Sequence, residues 1–212
     1  MRDVLDELSA AHRELGKGSV PAGEAYTVVL RRRYDAEIED VWDAITTAER
    51  LSRWFLPVSG DLRLGGRYQL EGNAGGEILR CEPPRLLKVS WLFGPEAKDG
   101  SSEVEVRLAP GPDGDTEFEL VHAAVVDEVF FPTYGPGATG VGWDLGLLGL
   151  AMHLAGESIG DPSAFESSPV ARDFSRRSAA SWGEAHLAAG ADPAAVKAAV
   201  EATTKFYVPD EA

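Results

Sequence analysis

Ala138–Ser158 reads ATGVGWDLGLLGLAMHLAGES, and its spacing decides what the rest of the chain must build. At helical periodicity Trp143, Leu147, Leu150 and Leu154 form one apolar row, and Val141, Leu145, Leu148 and Met152 form a second beside it. A third row, Gly142, Gly146, Gly149, His153 and Gly156, is nearly bare of side chains. Each glycine costs a helix up to about 1 kcal/mol relative to alanine, so close approach of another segment is the expected compensation. Asp144 and His153 interrupt a run already short for a bilayer, which excludes a membrane span. The stretch is a helix buried in a soluble protein, wide enough in its apolar face to cover a sheet or a cavity.

Working outward, the segments before it read as strands. Glu24–Asp35 alternates as a strand and is followed by two short helices, Glu37–Thr47 and Glu49–Phe55, the second stopped by Pro57. Between Val58 and Ala124 six short strands are expected: Ser59–Leu64, Arg67–Glu71, Glu77–Glu82, Leu86–Phe93, Glu103–Ala109 and Thr116–Ala123. The breaks between them are rich in Gly and Pro, as an antiparallel meander requires. Val129–Gly137 is a loop leading into the long helix. At the amino end Asp3–Leu15 reads as an amphipathic helix and Gly16–Gly23 as a linker. At the carboxyl end Asp173–Ala189 and Pro193–Tyr207 read as helices, the last capped by Asp192 with Pro193 in its first turn. The chain divides into an extension over 1–23, an α+β domain over 24–160 and a helical extension over 161–212. Its fold class is a curved antiparallel sheet wrapped around one long helix, with extra helices at both ends.

Composition narrows function. Twenty basic residues against thirty-five acidic ones leave a net charge of −15, which opposes binding to nucleic acid or insertion at an anionic membrane. Arg31–Arg33 falls in a strand whose alternating faces split the cluster, and reads as a solvated edge. Cys81 is the only cysteine, so an intramolecular disulfide and a cysteine-rich zinc site are both excluded. The four histidines show no paired spacing, so a His-based metal site is not expected, and no cofactor is expected either. The amino end lacks an apolar signal core, and the expected compartment is the cytoplasm.

Strand alternation nominates a site. Phe118, Leu120 and His122 share one face, opposite Glu117 and Glu119; Leu87, Val89, Trp91 and Phe93 share another; Tyr68 and Leu70 pair similarly. With Trp54 and Phe55 at the mouth and Trp143, Leu147 and Leu150 on the helix, they either line an apolar pocket of roughly 300–1,000 Å³ or fill a solid core. His122 is the sharpest polar candidate, as an orienting group or general base, with a hydrogen-bonded core histidine as the plainer reading. His153, on the glycine row, is expected against an appended helix. Asp127-Glu128 and Tyr134 are loop groups with a weaker claim to acid–base work. No Gly-x-Ser-x-Gly or phosphate loop occurs.

The run Asp35–Tyr68, DAEIEDVWDAITTAERLSRWFLPVSGDLRLGGRY, resembles the START-like (SRPBCC) helix-grip superfamily, in the branch named after the activator of the heat-shock-protein-ninety ATPase (the Aha type). The matching positions are Val41-Trp42, Thr46 or Thr47, Leu51, Trp54-Phe55, Pro57, Asp61 and Gly65-Gly66, then Pro83-Pro84 leading to Trp91, and Gly142-Trp143 opening a Leu-spaced helix. Together they span about Tyr26–Ser158. The resemblance implies a cavity between sheet and long helix able to hold an apolar small molecule, but no single activity, since members carry lipids, bind hormones or metabolites, cyclise polyketides or stimulate a chaperone. The named co-chaperones also use a separate amino-terminal domain, and Met1–Gly23 is too short to be one.

Three functions stay open on these grounds. The first is noncatalytic binding of a small hydrophobic or aromatic ligand. The second is a co-chaperone-like regulator with a protein partner. The third is a cyclase-like or hydrolase-like enzyme using His122. Trp182, Phe206 and Tyr207 in the carboxyl-terminal helices either pack on the glycine row or form a homodimer interface.

Overall fold

In the computed structural model, which describes residues 3–94, 97–126, 129–158 and 162–209, the meander expected from the turns is present. The strands are β1 (His12–Val20), β2 (Gly23–Tyr34), β3 (Val58–Gly60), β4 (Arg67–Leu70), β5 (Gly75–Glu82), β6 (Leu86–Ser90), β7 (Ser102–Pro110) and β8 (Thr116–Val125). They form one antiparallel sheet in the order β1-β2-β8-β7-β6-β5-β4-β3. Between β2 and β3 the chain forms α2 (Ile38–Thr46) and α3 (Ala48–Trp54), and after β8 come α4 (Phe130–Tyr134) and the long α5 (Gly137–Leu154). The architecture is the α+β helix grip. The inward residues of β2, β7 and β8, among them Val28, Leu30, Val106, Phe118 and Leu120, pack with Val141, Leu147 and Leu150 of α5 into one core.

The amino-terminal segment differs from expectation. The helix, α1, covers only Val4–Ser9, and the stretch read as a linker belongs instead to β1, hydrogen-bonded along β2. Two glycines make that pairing possible over Thr27. A Cβ on Gly16 would stand 2.7 Å from Thr27 Oγ1, and one on Gly18 would stand 3.1 Å from Thr27 Cγ2. Glycine there is a packing requirement that reads, in sequence, like a flexible tether. β1 is therefore one edge of the sheet, and the arginine cluster on β2 is not at an edge. Arg31 and Arg33 do face solvent, but Arg32 is buried against Glu7 of α1 at 2.6 Å, its guanidinium 4.3 Å from the Tyr34 ring centre.

At the other end α6 (Pro162–Glu166), α7 (Pro169–Ala188) and α8 (Pro193–Tyr207) close the chain. Ser168 and Asp192 cap α7 and α8, each followed by a proline, since an N-terminal turn has no use for that N–H. α7 lies along α5 and also reaches the edge strand β1. The second apolar row of α5, Leu148 with Met152, packs there with Leu8 and Phe174. Trp182 is fully buried over Gly140, where a Cβ would come within 2.2 Å of the indole. Packing within the chain thus accounts for Trp182, whereas Phe206 is exposed.

The glycine row has a different occupant from the one expected. A Cβ on Gly149 would stand 2.5 Å from the Trp54 carbonyl, and Gly146 faces the Phe55 ring; only Gly142, against the Tyr207 hydroxyl, meets an appended helix. His153 likewise accepts from Arg50 Nε of α3, at 3.1 Å. The bare side of α5 lets α3 approach closely, and that approach carries Trp54 and Phe55 to the mouth of the grip.

A buried polar knot ties both chain ends to α5. Asp144 is 3% exposed and accepts from Arg13 Nε and Nη2 (both 2.9 Å), Ser178 Oγ (2.5 Å) and Trp182 Nε1 (3.0 Å). Arg13 sits on β1 and also donates from Nη1 to the Ala11 carbonyl and from Nη2 to the Leu8 carbonyl. One carboxylate thus joins the amino-terminal strand, the long helix and α7.

Candidate functional site

Between the sheet and α5 lies an inner cavity of about 160 Å³. Of the residues expected at a site, Trp54, Phe55, Tyr68, Leu70, Leu87, Val89, Trp91, Phe118, Leu120, Trp143 and Leu147 all line it. Three others do not. Leu150 is fully buried in the core and does not reach the cavity wall. Phe93 is 66% exposed, because β6 ends at Ser90 and the alternation stops with it. His122 faces a different space, described below. The cavity also takes in residues not singled out from sequence, chiefly Ile45, Leu51, Ile78, Val104 and Val106. Val104 and Val106 alternate on β7 as Phe118 and Leu120 do on β8, so that signal was present. Its volume is below the range expected from sequence, since large aromatic side chains fill much of the space.

The lining presents little to a polar ligand, because most of its hydrogen-bonding groups are already engaged. Tyr68 Oη donates to the Ser90 carbonyl (2.8 Å), Trp54 Nε1 to the Ala44 carbonyl (3.0 Å) and Thr46 Oγ1 to the Trp42 carbonyl (2.7 Å). Burial also raises the Tyr68 hydroxyl pKa, keeping it neutral. An unpaired polar group in such a space costs about 1–3 kcal/mol, so the cavity suits a molecule with none.

One side of the cavity is an aromatic wall. Trp91 and Trp143 meet with ring centres 4.9 Å apart, and Phe55 stacks on Trp143 at 6.4 Å. Beyond the wall an outer groove of about 900 Å³ opens, bordered by the same three rings together with Ser102, His122, Phe130, Phe206 and Tyr207. His122 stands behind the wall. Its Nδ1 accepts from Trp143 Nε1 at 3.0 Å and its Nε2 lies 2.8 Å from Ser102 Oγ. Burial lowers its pKa to about 4, so it is neutral at pH 7. With both ring nitrogens engaged and so low a pKa, His122 orients the Trp143 indole rather than presenting a general base. It is a hydrogen-bonded core histidine on the groove side of the wall.

The remaining candidates lie apart. Asp127-Glu128 falls outside the described residues. Tyr134 borders α8, where its carbonyl accepts from Thr203 Oγ1. Cys81 lines the inner cavity as a free thiol. Among the described residues no group of three or more His, Cys, Asp or Glu side chains could hold a metal, and no helix is long and apolar enough to cross a membrane.

Comparison with known proteins places this geometry. A family model described as activator of Hsp90 ATPase homolog 1-like protein matches residues 35–151. The chain is similar to CalU16 from Micromonospora echinospora. In its solution structure the identity is 39%, over 86% of this chain and 97% of that one, with a TM-score of 0.69. In its crystal structure the identity is 38%, over 83% and 98%, with a TM-score of 0.66. The Aha1 dimer from Colwellia psychrerythraea matches at 17% identity, over 60% of this chain and 95% of that one, with a TM-score of 0.50, a likeness of fold alone. None of the curated proteins matches the sequence.

Proposed function

We propose that this chain, which belongs to the family of activator of Hsp90 ATPase homolog 1-like proteins, binds a small hydrophobic or aromatic molecule in the cavity between sheet and α5. The observation that carries the reading is an apolar cavity of about 160 Å³ whose tyrosine, threonine and indole donors are largely spent on the protein itself. A void of about 150 Å³ with an apolar lining stays dry and accepts benzene, so the expected occupant is a single aromatic ring or a short branched hydrocarbon.

Toluene titrated against the protein tests this. A ligand at ten times its dissociation constant stabilises the fold by about 1.4 kcal/mol, or about 3–6 °C in melting temperature for a chain of this size. Val106→Phe, which grows a ring into the space, should abolish that shift. An unchanged melting temperature in the wild type at saturating toluene would count against the cavity as a site.

The family model favours a second reading, a co-chaperone-like regulator, because its description names an Hsp90 ATPase activator. Exposed Phe93 and Phe206 would then carry the contact. Stimulation of a chaperone ATPase that is lost with Phe93→Glu and kept with Val106→Phe would select this reading over the first.

A further inference from the structure

The wall between the two compartments fixes the protons of a short relay. An indole N–H only donates, so Trp143 Nε1 makes His122 Nδ1 an acceptor. A neutral imidazole then carries its proton on Nε2, and that proton goes to Ser102 Oγ, 2.8 Å away. Burial, which disfavours the imidazolium, supports the same assignment. Ser102 Oγ therefore acts as acceptor toward His122 and keeps its own O–H. That hydroxyl makes no second hydrogen bond among the described residues, and Ser102 is half-buried in the groove wall. Around it Trp91, Phe130 and Tyr207 supply aromatic surface.

We propose that the outer groove is a second small-molecule site, selective for an aromatic compound bearing a hydrogen-bond acceptor such as a carbonyl oxygen, with the Ser102 hydroxyl as the donor that reads it. The two compartments then differ in chemistry. The inner one takes hydrocarbon, since its two hydroxyls and most indole donors are spent. The outer one offers an aromatic surface and an unspent donor whose orientation is set by His122 and, through it, by Trp143. The groove site stands whether or not the inner cavity is occupied. A donor placed in a partly dehydrated groove discriminates against a ligand of equal shape that lacks the acceptor, because binding that ligand leaves the hydroxyl unpaired.

The test uses a shape-matched pair of probes, 2-acetylnaphthalene and 2-isopropenylnaphthalene, titrated against the intact chain and followed by the NMR signal of the Trp143 indole N–H. The ketone should bind about two- to twelvefold more tightly than the hydrocarbon, the range expected for one net hydrogen bond. Ser102→Ala should bring the ratio close to one, and Ser102→Thr, which keeps a hydroxyl, should retain it. A purely structural role for Ser102 would weaken both probes alike and leave the ratio unchanged, which overturns the proposal. So does equal binding of the two probes, or no binding of either, by the wild type. Val106→Phe separates the sites: ketone binding that survives it belongs to the groove. Ketone binding lost with it belongs to the inner cavity, overturning the groove site while leaving the inner-cavity reading in place. Nuclear Overhauser contacts from the ketone distinguish the sites without any variant: contacts to Phe130 and Tyr207 support the groove, and contacts to Leu120 overturn it.

Discussion

Replacing Asp144 with Asn keeps the shape of the side chain and removes only its charge. In the folded protein that carboxylate is 3% exposed and takes four donors, two of them from an Arg13 side chain that is itself only 8% exposed. The amide would leave Arg13 as a buried cation without its counter-ion and turn an N–H toward the Arg13 guanidinium, which only donates. Breaking a buried pair from one side costs about 3–5 kcal/mol. For a chain of this size each kcal/mol moves the melting temperature by about 2–4 °C, so Asp144→Asn should lower it by about 6–20 °C. Circular dichroism melts of Asp144→Asn, Arg13→Met and the double variant give the assay. The cycle should show a favourable coupling of about 2–3 kcal/mol, because each residue is the other's ionic partner. Loss of less than about 2 °C in Asp144→Asn, or a coupling near zero, would refute the idea that this knot fastens both ends of the chain to α5.

Two glycines of α5 should respond in opposite directions. Gly140→Ala places a methyl within 2.2 Å of an indole pinned by its bond to Asp144, and should cost about 1–3 kcal/mol in urea unfolding. Gly146→Ala meets only ordinary contact with Phe55, at 3.6 Å and beyond, and should gain up to about 1 kcal/mol from helix propensity. His122 makes stability depend on pH. Its pKa is lowered from 6.5 to about 4 in the fold, so between those values the unfolded chain binds a proton that the folded chain refuses. Stability should therefore fall as pH drops from about 6.5 to about 4, at about 1.4 kcal/mol per pH unit, and level off below. The His122→Gln variant should lose that slope, and an NMR titration giving His122 an ordinary pKa near 6.5 would contradict it.

The sheet and the central helix were legible because their periodicities are strong. Phe118 and Leu120 against Glu117 and Glu119, or Leu147 and Leu150 along α5, leave one choice of inward face. β1 was hidden because its glycines resemble a tether, and only the position of Thr27 on the facing strand explains them. The occupant of the glycine row was hidden for a related reason: close approach shows in sequence as missing side chains, with no mark of which segment fills the gap. Phe93 was misplaced because alternation was carried past the end of its strand. His122 was correctly placed on the inward face of β8, but whether that face meets the inner cavity or the outer groove depends on the Trp91–Trp143 wall. Arg13 and Asp144 lie 131 residues apart, and nothing local in either segment announces their pairing.

The central claim, that the space between sheet and α5 holds an apolar small molecule, is tested most directly on protein taken from its own host. Native mass spectrometry of the purified chain, followed by denaturing extraction, reports whether anything travels with it. The expected result is a stoichiometric apolar compound that Val106→Phe protein does not carry. Protein that arrives empty, and that in addition takes up no single-ring aromatic when one is supplied, would contradict the claim and leave the cavity as a packing void.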